Sequence, residues 1–184
     1  MSELSVKILA GKYKNKTIKL PSKATTRSTK SIMKESLFNT LQFDIVGENF
    51  VEVFGGSGSM GLEALSRGAK RAYFFEKDKY AYEVLTYNCK QIAPNDTSCV
   101  YGDSFKEFPK FLQSFTQNAY FYFDPPFDIR DGMSEIYEKT LNLISLIPKN
   151  QSNLIIVEHM SSKKMPQEIG RYTIKKTKNL EKAH

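Results

Sequence analysis

At 184 residues, 40% hydrophobic, 26% charged and with two cysteines, the chain has room for one domain with its own core plus an appendage. Cys89 and Cys99 lack metal or redox spacing, no apolar signal core stands at the amino terminus, and no apolar run is long enough to cross a bilayer, which excludes disulfide-built, metal-stapled and membrane-spanning classes and makes the cytoplasm the expected location. The net charge of +7 is uneven: nine Lys/Arg face two acids over residues 1–35, eleven face sixteen over 36–159, and seven face two over 160–184, so a polyanion, nucleic acid first, is the expected partner of the two basic ends.

Residues 6–10 and 17–20 read as short strands around a hairpin loop, Gly11-Lys12-Tyr13-Lys14-Asn15-Lys16. Its three lysines and tyrosine suit phosphate contact and base stacking, although lysines also protect an exposed edge from strand pairing. A polar linker over 21–29 leads to a helix with Ile32, Met33, Leu37, Phe38 and Leu41 at helical spacing and Ser28 or Thr29 as its cap. The expected units are a basic hairpin (1–20), a linker with its helix (21–48) and a main domain (49–184).

Residues 49–54 form an apolar strand that runs into Gly55-Gly56-Ser57-Gly58-Ser59-Met60-Gly61 and a helix over 62–67. Gly56, Gly58 and Gly61 satisfy G-x-G-x-x-G in the strand–turn–helix setting that this fingerprint requires. The next strand, 71–75, is closed by Glu76, an acid placed to bind both hydroxyls of a ribose. These features imply an adenosine-type cofactor, and NAD fits them as well as S-adenosylmethionine.

Helices over 80–92, 105–115 and 133–147 then alternate with strands over 98–101, 119–123 and 154–157, and residues 171–176 read as a last, exposed strand. This alternation predicts an α/β, Rossmann-like fold, a mainly parallel central sheet flanked by helices and preceded by a β-hairpin. Acids close four successive strand regions, at Glu76, Asp103, Asp124 and Glu158; with the glycine loop they mark a ligand edge.

In Phe121-Tyr122-Phe123-Asp124-Pro125-Pro126-Phe127 a buried strand delivers a carboxylate into a rigid turn. The prolines carry no N–H donor, which leaves the Pro125 carbonyl to accept a bond from elsewhere. Carboxylate and carbonyl side by side make a two-acceptor clamp for an –NH2 group, and Phe127 is suited to stack on the flat ring that bears it.

Asp124-Pro125-Pro126-Phe127 is similar to the catalytic motif of the amino methyltransferases, and the resemblance extends along most of the chain. Residues 8–15, 27–29, 35–39 and, almost without interruption, 54–69 match the bacterial family that methylates guanine N2 in small-subunit (16S) ribosomal RNA. The resemblance implies S-adenosylmethionine as cofactor, with Phe54, Gly55, Gly56, Ser57 and Gly58 bordering its methionine part. It further implies Glu52 toward the methionine amine, Glu76 on the ribose, Asp103 with Ser104 at the adenine, and residues 124–127 as the catalytic motif. Lys12, Tyr13, Lys14, Lys16 and Arg27 would contact RNA, the partner being ribosomal RNA or a partly assembled small subunit, for a monomeric enzyme without a metal. The chain departs from the family in four places. Glu52 stands for the usual Asp, Ser28 for the linker proline, Ser31-Ile32 for a common Asp-Arg pair, and the final antiparallel strand is expected to be missing or short.

Three other readings share some of these features. A nicotinamide dehydrogenase uses the glycines and Glu76 but leaves the Asp-Pro-Pro-Phe motif and the basic hairpin idle. An adenine-N6 DNA methyltransferase uses the same clamp, and a non-catalytic RNA-binding protein on a decayed methyltransferase fold accommodates Glu52 and the short tail. The hairpin itself is expected to contribute little to the cofactor site, because the glycine loop and the strand-end acids all follow it. His159, after the next strand and outside every motif, is not expected to act as a base.

Overall fold

The computed structural model describes residues 4–21, 27–126, 133–160 and 164–177. A hairpin of β1 (Ser5–Lys7) and β2 (Thr17–Lys19) leads through α1 (Arg27–Thr40) into the alternating part: β3 (Asn49–Glu52), α2 (Ser59–Ser66), β4 (Arg71–Glu76), α3 (Lys79–Ile92), β5 (Thr97–Tyr101), α4 (Ser104–Ser114), β6 (Ala119–Phe123), α5 (Met133–Leu146) and β7 (Ser152–Val157). A short antiparallel pair, β8 (Glu168–Ile169) and β9 (Tyr172–Thr173), follows. The five central strands are all parallel, in the order β5-β4-β3-β6-β7. Among the described residues no helix is long and apolar enough to cross a membrane.

Alternation along the strands sorts the core into two layers, as a sheet covered on both faces requires. Phe50, Phe74, Tyr120 and Tyr122 pack with Ile8 and Ile18 of the hairpin region, Phe38 of α1, Leu62 and Leu65 of α2, and Leu85 of α3. Their strand neighbours Val51, Phe75, Phe121 and Phe123 face the other way, onto Phe108 of α4, Leu143 and Ile144 of α5, and Ile169 of β8. Glu52, two residues after Phe50, and Asp124, two after Tyr122, therefore fall on the hairpin side of the sheet.

The predicted elements are present, with differences at their ends. The first strand stops at Lys7 rather than continuing to Ala10, because the N–H groups of Leu9 and Ala10 donate to the Glu63 carboxylate at 2.9 and 3.2 Å. Helix α1 begins at Arg27, so Ser28 and Thr29 lie within its first turn instead of capping it. The strand that starts at Asn49 ends at Glu52, since Gly55 turns away to donate to the Phe75 carbonyl at 2.7 Å. The expected last strand over 171–176 is only Tyr172–Thr173, paired with Glu168–Ile169 in a ladder separate from the central sheet. Cys89 and Cys99, ten residues apart, bring their sulfurs to 3.7 Å.

Glu63 of α2 is fully buried, at 0% exposure. Besides Leu9 and Ala10, its carboxylate accepts from Arg67 Nε at 2.8 Å and faces Lys34 Nζ of α1 at 3.4 Å. Lys34, 4% exposed, also donates to the Lys7 carbonyl. Burial lowers the Lys34 pKa, and Glu63 opposes that shift. One carboxylate thus joins hairpin, α1 and α2, and the hairpin tip seals the contact. Gly11, at φ +83°, lies so close to α2 that a Cβ would fall 1.8 Å from the Ser66 carbonyl oxygen, and the Lys12 and Tyr13 N–H groups donate to the Ser66 carbonyl and hydroxyl.

Replacing Glu63 with Ala strands a buried lysine and two backbone donors, which predicts a loss of about 3–5 kcal/mol in urea unfolding. Glu63→Gln, which keeps the size and one acceptor, should lose less.

Candidate functional site

After β3 the chain moves to β4 on one side, while β6 lies on the other, so the loops leaving the carboxyl ends of β3 and β6 diverge. Such a switch point leaves a crevice where open parallel sheets bind ligands. A cleft of about 460 Å³ opens there, within the usual range for small-molecule sites. All four strand-end acids, Glu76, Asp103, Asp124 and Glu158, line it, and Glu52 joins them.

One wall is the glycine loop, with Phe54, Gly55, Gly56 and Ser57 on the cleft. Gly58 stands behind it at φ +77°, where a Cβ would meet Leu85 at 2.7 Å; its role is to turn the backbone rather than to line the cavity. Glu76 is held by two backbone donors, Gly56 N–H and Asp78 N–H, both at 2.8 Å. Each carboxylate oxygen can accept a second bond, so Glu76 is fixed in place with capacity for further donors. Asp103 caps α4 by accepting from Phe105 N–H at 3.0 Å, beside the buried Ser104. Glu52 accepts from Gly61 N–H at 2.8 Å. It supplies the cap that Gly58, at the N-cap position of α2, has no side chain to give.

The opposite end carries the motif. Asp124 and Pro126 line the cleft, while Pro125 is buried; Phe127 lies outside the described residues. On the same face, Tyr122 donates its hydroxyl to the Glu158 carboxylate. Tyr137 sits close by, its pKa raised by burial and further by Asp124, and its oxygen accepts from Met160 N–H at 2.9 Å. His159 is half-buried, with Nδ1 2.9 Å from the Met160 carbonyl oxygen, and does not line the cleft.

The hairpin, expected to contribute little to the cofactor site, supplies part of the third wall of the cleft. Val6 of β1, Leu20 and Pro21 after β2, and Ser31 and Lys34 of α1 all line the same cleft. The link is Asn88 of α3, only 1% exposed. Its Oδ1 accepts from Lys19 N–H at 3.0 Å, and its Nδ2 donates to the Lys19 carbonyl at 3.0 Å and the Ser57 carbonyl at 2.9 Å. The hairpin is thereby bonded through one amide to the glycine loop.

The hairpin tip lies away from the cleft. Lys12, Lys14 and Lys16 are exposed there, with Lys12 3.6 Å from Asp96. The Tyr13 ring is half-buried between the ammonium groups of Lys12 and Lys16, at 4.7 and 5.1 Å from its centroid. Arg27 opens α1, and its side chain lies outside the described residues.

Sequence reasoning passed over Lys34, Asn88 and Tyr122. The signal for the first two was a polar residue on an apolar helix face, Lys34 four positions before Phe38 and Asn88 between Leu85 and Ile92. For Tyr122 it was the strand period of two that puts it on the face of Asp124.

On the cleft wall, acids outnumber lysines six to two. This negative field suits a ligand rich in cationic and donor groups and opposes a pyrophosphate. The residues present fit S-adenosylmethionine: carboxylates at Glu76 and Asp103 for hydroxyl and amine donors, Glu52 for an ammonium, and a glycine at position 56 where even a Cβ would meet nothing within 4 Å.

The family model described as conserved hypothetical protein 95 matches residues 6–184. Over 140 residues the chain is 31% identical to ribosomal RNA small subunit methyltransferase D of Escherichia coli, covering 76% of this chain and 66% of that one. Over 170 residues it is 26% identical to YlbH of Bacillus subtilis, covering 90% and 88%. Among solved structures, Haemophilus influenzae HI0767 superposes with a TM-score of 0.66 at 26% identity, covering 89% of this chain and 86% of that one.

Asn88→Ala should lower stability by about 2–3 kcal/mol, because it leaves buried backbone groups of Lys19 and Ser57 unpaired. Asn88→Asp should be no better at neutral pH, since its second oxygen would face two carbonyls. Urea midpoints of both variants check this.

Proposed function

Because the chain belongs to the conserved hypothetical protein 95 family, alongside relatives named ribosomal RNA small subunit methyltransferase D, we propose that it transfers a methyl group from S-adenosylmethionine to the exocyclic N2 amine of a guanine in small-subunit ribosomal RNA. The observation that carries the reading is that Asp124 and the glycine loop with Glu76 share one cleft at the sheet's switch point. An amine clamp and an adenosine-type site thereby stand side by side. The acidic wall weighs against a dinucleotide with its pyrophosphate, so the nicotinamide alternative loses its footing.

When bound, S-adenosylmethionine would supply an electrophilic sulfonium methyl with a thioether as its leaving group. The chain needs no nucleophile of its own; its contribution is position and charge. Asp124 and the Pro125 carbonyl accept the hydrogens of the amine, free its lone pair from the ring and offset the positive charge that develops on nitrogen, and the surplus proton then leaves to Asp124 or to solvent. Glu76 would bind the ribose hydroxyls, Asp103 the adenine amine, and Glu52, at the end of β3, the methionine ammonium. Phe127 stacks on the base. Outside the cleft, the lysines of the hairpin tip neutralise phosphates of the RNA.

Asp124→Ala is expected to abolish methyl transfer, by about 3 kcal/mol or more in activation free energy, with little change in S-adenosylmethionine affinity by calorimetry. A variant that keeps its rate would reduce Asp124 to a strand cap and sink the assignment.

Replacing Lys12, Lys14 and Lys16 together with Ala should weaken RNA binding and lower its salt slope by roughly 0.7–0.9 for each phosphate that the variant no longer neutralises. Cofactor affinity should hold, because these side chains lie away from the cleft. Filter binding across a salt series, paired with cofactor titration, separates the two effects.

A further inference from the structure

The clamp described above accepts any aromatic amine, and a neighbouring carboxylate bears on which one. Val157 of β7 stands beside Phe123 of β6 in the parallel ladder, and Glu158 N–H donates to the Phe123 carbonyl at 2.8 Å. Asp124 and Glu158 are consequently the next residues on adjacent strands, roughly 4.8 Å apart as strands are spaced, and both line the cleft. They also share a face: Tyr122 is paired with Ile156, both side chains pack into the hairpin-side core, and Asp124 and Glu158 follow two residues later. The Tyr122 hydroxyl donates to Glu158, which fixes the orientation of the carboxylate.

We propose that Glu158, held by Tyr122, is a specificity-determining residue that accepts the N1–H of guanine while Asp124 holds the neighbouring N2 amine. The proposal rests on the methyltransferase reading and adds to it the residue that enforces the choice of guanine. Guanine presents two adjacent donors on that edge, N1–H and the C2 amine. Adenine and cytosine instead place a bare ring nitrogen, an acceptor, beside their amine. A carboxylate facing that lone pair repels it, so one side chain both rewards guanine and rejects the other two amino bases. Tyr122→Phe, which removes the hydroxyl and keeps the ring, loosens Glu158 and weakens the same discrimination.

The test compares guanine with 2-aminopurine, which retains the C2 amine but has a bare N1. Once the guanine methylated by the wild-type protein is mapped, ribosomal RNA carrying 2-aminopurine at that position is made by ligation, and single-turnover rates are measured on both. Wild type should favour guanine by about 100-fold or more, as sites built around a hydrogen bond reject analogues that lack it. In Glu158→Ala the guanine rate should fall until the two substrates differ by less than about fivefold, with S-adenosylmethionine affinity within twofold of wild type. A purely structural role for the Tyr122–Glu158 pair would slow both substrates together and leave the ratio intact, which overturns the proposal. So does a wild-type ratio near one, a result that needs no folded variant. Absence of any methyl transfer to guanine by the wild type would instead remove the underlying reading, a separate outcome from a failed ratio.

Discussion

A buried carboxylate without partners is untenable, and Glu63 meets that constraint by gathering donors from three segments. Leu9 and Ala10 give backbone N–H groups, Lys34 an ammonium and Arg67 a guanidinium. Only with the hairpin folded back and α1 laid across α2 is the carboxylate satisfied. The hairpin is thus bound by a requirement of the interior and not by surface complementarity alone. Ile8 and Ile18, both buried, carry the same message in apolar form.

That constraint has consequences for the cleft. With the hairpin fixed, Val6 and Leu20 close one side of the crevice, and Lys34 adds a cation to a mainly acidic wall. Asn88 extends the connection to the glycine loop through the backbone of Lys19 and Ser57. A segment whose tip carries exposed lysines is therefore joined, at its base, to the glycine loop that lines the cleft. In the proposed reaction, RNA engaged at the tip and cofactor held by the loop would share one rigid frame.

Within the cleft, placement follows from the sheet. Parallel strands end on one edge, so the acids that close β4, β6 and β7 and the one that caps α4 after β5 converge without any long-range signal in the chain. Secondary bonds then give each acid a separate duty. Glu76 is oriented by two backbone donors, Asp103 caps α4, Glu52 caps α2, and Glu158 is fastened by Tyr122. Asp124, on the same face as Tyr122, stands beside Glu158 at the rim.

What the sequence determined by itself was local and periodic. Apolar runs closed by acids, the glycine turn in its strand–helix setting and the Asp-Pro-Pro turn each act through neighbours a few residues away, and they determined the alternating fold, the acid-lined edge of the sheet and Asp124, Glu76 and Asp103 as residues on it. Tertiary structure decided what depends on partners far apart in sequence. Leu9 meets Glu63 and Lys19 meets Asn88, and these contacts shorten β1 and bring the hairpin into the cleft wall. Tyr122 finds Glu158 because β6 and β7 lie side by side. The reason is physical: a hydrogen-bonding side chain on an apolar face announces that it has a partner, but which segment supplies that partner is settled only when the chain packs.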